Sequence, residues 1–167
     1  MQFKKLLLPA LLLLTFTWFG CKKDDENPID PINTEQIIPG EGITDVKIGD
    51  VAQKAIDKYG TTSPSYGGSG GQYTHFLIYG SKGVTVYCEP TPEATFSAQM
   101  KIKSIVLSSP FSGKTDKSIG IGSKKSEVKA AYGEPATSSE FFGDEYTTGI
   151  TFKYDDAGEK VEEIEVE

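Results

Sequence analysis

The strongest pattern along this chain is a two-residue alternation of apolar and polar positions, broken twice by apolar residues spaced four apart. "YTHFLIY" (Tyr73 to Tyr79), "GVTVYC" (Gly83 to Cys88) and "MKIKSIVL" (Met100 to Leu107) are rich in β-branched and aromatic residues and predict strands. "GSKG" (Gly80 to Gly83) predicts a tight turn between the first two, and "DDAG" (Asp155 to Gly158) another between "GITFKY" and "KVEEIEV". In "KVEEIEV", Ile164 and Val166 point one way and Glu163, Glu165 and Glu167 the other, which leaves one sheet face wet or waiting for a partner. Val51, Ala55 and Tyr59 recur at helical spacing, as do Val128 and Tyr132. Asp50 and Ser123 stand where N-caps are expected, Gly60 and Gly133 where the helices close, and Pro135 follows as a stop. Each helix spans about nine residues, too few to hold alone in water, so each must lie on a sheet.

These segments recur in order. "DVKIGDVAQKAIDKYG" (Asp45 to Gly60) aligns without gaps on "SIGIGSKKSEVKAAYG" (Ser118 to Gly133), "GVTVYC" on "GITFKY", and "KIKSIVL" on "KVEEIEV". The expected fold class is therefore α+β: two tandem repeats, 42–110 and 115–167, each a short helix followed by two or three antiparallel strands, with the helices packed on one sheet face. On "GIGSKKSEVKAAYGEP" and "TTGITFKY" this pattern resembles the tandem-repeat domains of β-lactamase inhibitor protein and the small outer-membrane assembly lipoproteins. The first copy departs from it, with no proline after Gly60. The resemblance implies protein binding at the cell envelope without catalysis, and it carries no catalytic residue.

The N-terminus has a different pattern. Lys4 and Lys5 precede an apolar run from Leu6 to Phe19, the layout of a secretory signal. A helix of that run would be about 21 Å long, short of a hydrocarbon core of about 30 Å. The run ends in Gly20-Cys21, which resembles the lipobox of bacterial lipoproteins, although Trp18 and Phe19 stand where that motif usually has leucine and a small residue. Residues 1–20 thus read as a lipoprotein signal peptide and Cys21 as the lipidated N-terminus, anchored by several acyl chains. Lys22, Lys23, Asp24, Asp25 and Glu26 resemble the short signal that sends some lipoproteins to the outer face of the outer membrane. Residues 21–41, with Pro28, Pro31 and Pro39, read as an extended tether.

Composition narrows the functional classes. The net charge is -7 and every basic side chain is lysine, so the chain lacks the arginines that read phosphates and base edges, and no nucleic-acid partner is expected. His75 is the single histidine and reads as a strand residue of the core; Cys88 reads as a small buried hydrophobe. A His75–Cys88 dyad lacks a third orienting group. "SYGGSGGQ" (Ser65 to Gln72) reads as a mobile loop flanked by Tyr66 and Tyr73, not a phosphate cradle, since it lacks the lysine and the following helix. Asp144-Glu145 and Asp155-Asp156 read as a surface loop and a hairpin turn rather than as paired catalytic acids. No metal, cofactor or catalytic set is expected. The expected protein is an outer-membrane lipoprotein facing the exterior, with the membrane held through its lipid and another envelope or extracellular protein as partner. The alternative is a surface carbohydrate-binding accessory. Metabolic labelling with a fatty acid is expected to mark the chain and to fail on Cys21→Ala; label persisting on that variant would exclude lipidation at this cysteine.

Overall fold

The computed structural model describes residues 35–167. The expected signal peptide, Cys21 and the charged cluster 22–26 lie outside the described residues.

Short segments open the fold: β1 (Gln36–Ile38), β2 (Gly42–Ile43) and β3 (Val46–Lys47), then helix α1 (Gln53–Tyr59). β4 (Ser65–Ser69), β5 (Gln72–Tyr79), β6 (Val84–Cys88) and β7 (Ile102–Ser108) follow, and then β8 (Lys114–Thr115) and helix α2 (Lys125–Tyr132). The chain ends in β9 (Thr137–Ser139), β10 (Gly143–Tyr146), β11 (Ile150–Tyr154) and β12 (Val161–Val166). Eight strands form one antiparallel sheet in the order β4-β5-β6-β7-β12-β11-β10-β9, and four form a second in the order β3-β2-β1-β8. In the small sheet β1 and β8 run parallel.

Alternation sets which face of the large sheet is buried. Leu77, Val86, Ile105, Leu107, Ile164, Val166, Ile150 and Phe152 are fully buried on one face. They share a core with Ala52, which precedes α1, Ala55 of α1, Val128 of α2, and Ile37, Ile43 and Val46 of the small sheet. Across the seam between the helices and the sheet, the rings of Tyr132, Tyr146 and Phe152 lie 5.3 to 5.8 Å apart. The two sheets approach so closely that only glycine fits at one point. Gly149 has φ 74°, and a Cβ there would stand 2.7 Å from the Cα of Gly40.

This architecture corrects the expected fold class. Strand accounts for 44% and helix for 14% of the described residues, which are therefore mostly β, with a second sheet, and not an α+β array of helix-plus-strand repeats. The helices are only 7 and 8 residues long. Backbone pairing explains the excess of strand. "SYGGS", "TSS" and "GDEY" carry few β-branched residues, yet become β4, β9 and β10 because each lies beside a strand that already exposes its ladder. The tether expected through residue 41 also ends sooner, because β1 pairs with both β2 and β8 and buries Ile37 completely.

Local caps differ as well. Asp50 and Ser123 do not cap the helices but close the turns before them. The Lys47 N–H donates to Asp50 Oδ2 at 3.0 Å, and the Gly120 N–H to Ser123 Oγ at 3.1 Å. At α1 the free N–H groups of Ala52 and Gln53 reach the carbonyls of Met100 and Ala98, each at 2.8 Å. At α2 the Glu127 carboxylate accepts from the Lys124 N–H at 2.8 Å. Gly60 and Gly133 do close the helices with positive φ, 94° and 83°. Phe152→Ala is expected to cost about 3–5 kcal/mol, read as a lower urea midpoint at unchanged slope.

Candidate functional site

The β9–β10 hairpin places two large apolar side chains in water. Ser139 accepts at Oγ from the N–H groups of Phe141 and Phe142, at 3.2 and 3.3 Å, which fixes the tip. Phe141 is 86% exposed and Phe142 75% exposed. Both exceed any other large hydrophobic side chain among the described residues, the next being Tyr66 at 57%.

Below the tip lies a polar cluster that β pairing assembles. β10 sets Asp144 opposite Ser138 of β9 and Phe152 of β11, on the inner face, where its side chain is 1% exposed. Ser138 Oγ donates to Asp144 Oδ1 at 2.5 Å, and the Tyr154 hydroxyl donates to Oδ2 at 2.9 Å. Lys125 Nζ stands 3.4 Å from Oδ2 and 4.4 Å from the centroid of the Tyr154 ring. The backbone of Lys125 is itself held, its N–H donating to the Glu159 carbonyl at 2.8 Å. Burial alone would raise the Asp144 carboxyl, but the bonds from Ser138 and Tyr154 and the Lys125 charge outweigh it and hold its pKa below the ordinary value. Burial, and then the bond to that carboxylate, push the Tyr154 phenol far up. At neutral pH Asp144 is thus charged and Tyr154 protonated.

Beside this cluster a cavity of about 590 Å³ opens between the hairpin and the Asp155–Gly158 turn. Lys125 and Tyr154 line it, with Phe141, Glu140 and Asp156. Asp155 is committed to the turn, its Oδ1 accepting from the N–H groups of Glu159 and Lys160 at 2.9 and 3.2 Å.

The outer face of the large sheet offers a second surface. Phe76 and Tyr87 pair across β5 and β6 with ring centroids 5.3 Å apart, and Ile78 is 48% exposed. Towards β12 the face turns ionic: Lys153 Nζ lies 2.5 Å from Glu163 and 4.0 Å from Glu165. A depression of about 360 Å³ lies between these groups.

The sequence-predicted residues are dispersed. His75 is 1% exposed; its Nε2 lies 2.9 Å from the Glu93 carbonyl and its ring packs near Tyr66 and Phe96. Cys88 is fully buried, and burial pushes its thiol up to about 11. The two share the inner face without a hydrogen bond between them, and neither reaches the cavity. Ser65–Gln72, read as a loop, is β4 and its turn into β5. Asp144, read as part of a surface loop, is the buried centre of the polar cluster, a correction the register of β10 explains. Phe141 and Phe142 were missed by sequence reasoning; "EFFGD", two aromatics bracketed by acids and a glycine, was the available signal. Among the described residues no group of three or more His, Cys, Asp or Glu gathers as metal ligands would.

No protein-family model, curated protein or solved structure matches the chain.

Asp144→Asn leaves Ser138 and Tyr154 with a weaker acceptor and is expected to cost about 1–3 kcal/mol at neutral pH. Because the folded pKa of Asp144 lies below its unfolded value, its contribution is full above the unfolded value and disappears as pH falls through the folded one. Urea unfolding of parent and variant from about pH 6 down to about pH 2 should therefore show their midpoints converging at the acid end; a constant gap would show that Asp144 is not acting through its charge.

Proposed function

We propose that this chain is a cell-envelope lipoprotein, anchored at the outer membrane through lipid on Cys21, facing the cell exterior and binding another envelope or extracellular protein without catalysis. One observation carries the binding reading: two adjacent phenylalanines, 86% and 75% exposed, stand on a hairpin tip held by Ser139 and backed by an ionic cluster centred on the buried Asp144. Keeping two such rings in water is unfavourable, and a rigid aromatic pair at a tip is the form that interface anchors take. Each ring would bury about 150–250 Å² in a partner's pocket. The non-enzymatic part is supported by where the reactive groups lie. His75 and Cys88 are enclosed in the core, and Asp144 and Tyr154 are locked in opposite protonation states. Lys22 to Glu26, following Cys21, support the outward-facing location.

The cavity beside the tip favours a second reading. Phe141 offers an apolar face to the C–H groups of a sugar, while Glu140 and Asp156 on the same rim suit its hydroxyls. That arrangement belongs to a carbohydrate-binding accessory protein.

A photoreactive phenylalanine analogue at position 142, illuminated on intact cells, distinguishes the two. A discrete protein adduct is expected, lost when Phe141→Ala is added, with the parent far-UV spectrum retained. Truncating both rings should weaken binding to the captured protein by at least about thirtyfold. Adducts to saccharide alone would move the assignment to the second reading, and no adduct on intact cells would overturn the surface-binding proposal.

A further inference from the structure

The two edges of the large sheet are unlike each other. At one end β9 is three residues long, lies between Glu134 and Glu140, and carries the charged hairpin. Such an edge is short and repels another strand of an acidic protein. At the other end β4 is five residues long and exposed along its whole length. It pairs with β5 in five consecutive registers, Ser65↔Phe76 to Ser69↔Gln72, with no bulge. Its outward N–H and C=O groups have no strand beside them among the described residues. Pro64 precedes the strand and does not interrupt it. Among the described residues none of the usual devices that blunt an edge is present: the strand has no lysine, no internal proline and no bulge.

Charge indicates what could pair there. From Tyr59 to Ser81 the chain contains no Asp, Glu, Lys or Arg, although the whole carries -7. A second acidic copy is repelled by most of the surface and meets no like charge along this edge. The side chains are self-complementary. An antiparallel pair centred on Gly67 sets Gly67 against Gly67, Ser65 against Ser69, and Tyr66 against Gly68. The large Tyr66, 57% exposed, thus falls beside the smallest residue of the strand. Tyr73 already lies against Gly68, since a Cβ there would stand 3.2 Å from its ring, so Tyr66 of the second copy would extend that aromatic layer.

We propose that β4 is a self-association edge, through which two copies of this chain pair antiparallel about a two-fold axis at Gly67 to form one continuous sheet. The contact is isologous and consumes both β4 edges, so it closes at a dimer rather than propagating into a fibre.

Cysteine scanning in the full chain reads the register. Gly67 has ordinary φ and a Cβ there meets nothing within 4 Å, so the position accepts a side chain. Residues facing each other across an antiparallel pair lie about 4.5–5.5 Å apart, within disulfide reach. Under mild oxidation on membranes, Gly67→Cys is expected to give a covalent dimer above the parent background. Ser65→Cys and Ser69→Cys should each give little alone, and cross-link when co-expressed. In detergent, Gly67→Glu should weaken self-association at least about tenfold while Gly67→Ala keeps it, both with the parent far-UV spectrum. Three results would each overturn the proposal: Gly67→Cys cross-linking no better than Thr137→Cys on the opposite edge, Ser65→Cys alone cross-linking as well as Gly67→Cys, or Gly67→Cys trapping a different protein.

Discussion

The antiparallel pairing of β7 with β12 holds the molecule together, because it is where the chain's two strand groups meet. Ile164 sits opposite Leu107 and Val166 opposite Ile105, all fully buried. A slip of β12 by one residue would turn Ile164 and Val166 to the outer face and bring Glu163 and Glu165 into the core. The penalty for such a slip is large, so this register fixes every strand outward from it on both sides. The helices depend on it too. With 7 and 8 residues, α1 and α2 have little stability of their own and exist because the inner face of the joined sheet receives Ala55 and Val128.

The same burial encloses two reactive side chains. The two side chains with most reactive potential, His75 and Cys88, alternate onto the inner face with Leu77 and Val86 and are enclosed with them. Cys88 stays a protonated thiol because desolvation disfavours its charged form. The one buried carboxylate among the described residues, Asp144, is stabilised as an anion by Ser138, Tyr154 and Lys125 and serves to hold β9, β10, β11 and α2 in register. These polar contacts fix the shape of the hairpin end of the sheet. The surface carries an aromatic tip at one end of the sheet and an uncharged edge at the other.

Much of the frame was legible in the sequence where side chains set the structure. β5, β6, β7, β11 and β12 follow from alternation and β-branching, and the "DDAG" and "GSKG" turns from their glycines and acids. The two helices follow from spacing and from Gly60 and Gly133. The fold class was not legible, because the strands that make the protein mostly β carry weak signals of their own. β4 is "SYGGS", and its hairpin depends on Gly70 and Gly71, both at positive φ (60° and 77°), which close a two-residue turn. The Gly-Gly pair between Ser69 and Gln72 was a readable hairpin signal, masked by a composition that suggests a loop. β1 was hidden by prolines on either side, and β10 by Asp144, whose burial only its partners explain.

The strand order gives the two surface features a common geometry. β4 and the β9–β10 hairpin lie at opposite ends of eight strands. Strands stand about 4.8 Å apart, so pairing through β4 would set the two aromatic tips at the far ends of about 70 Å of twisted sheet. Two copies tethered to one membrane would then present two anchors at a spacing set by backbone hydrogen bonds rather than by a flexible linker. A partner with a single pocket gains nothing from that arrangement. A partner repeated on a lattice or within an oligomer gains effective concentration only if its own spacing matches. Pairing at the uncharged edge would therefore act as a filter on the partner's assembly, while the tip itself would select the pocket.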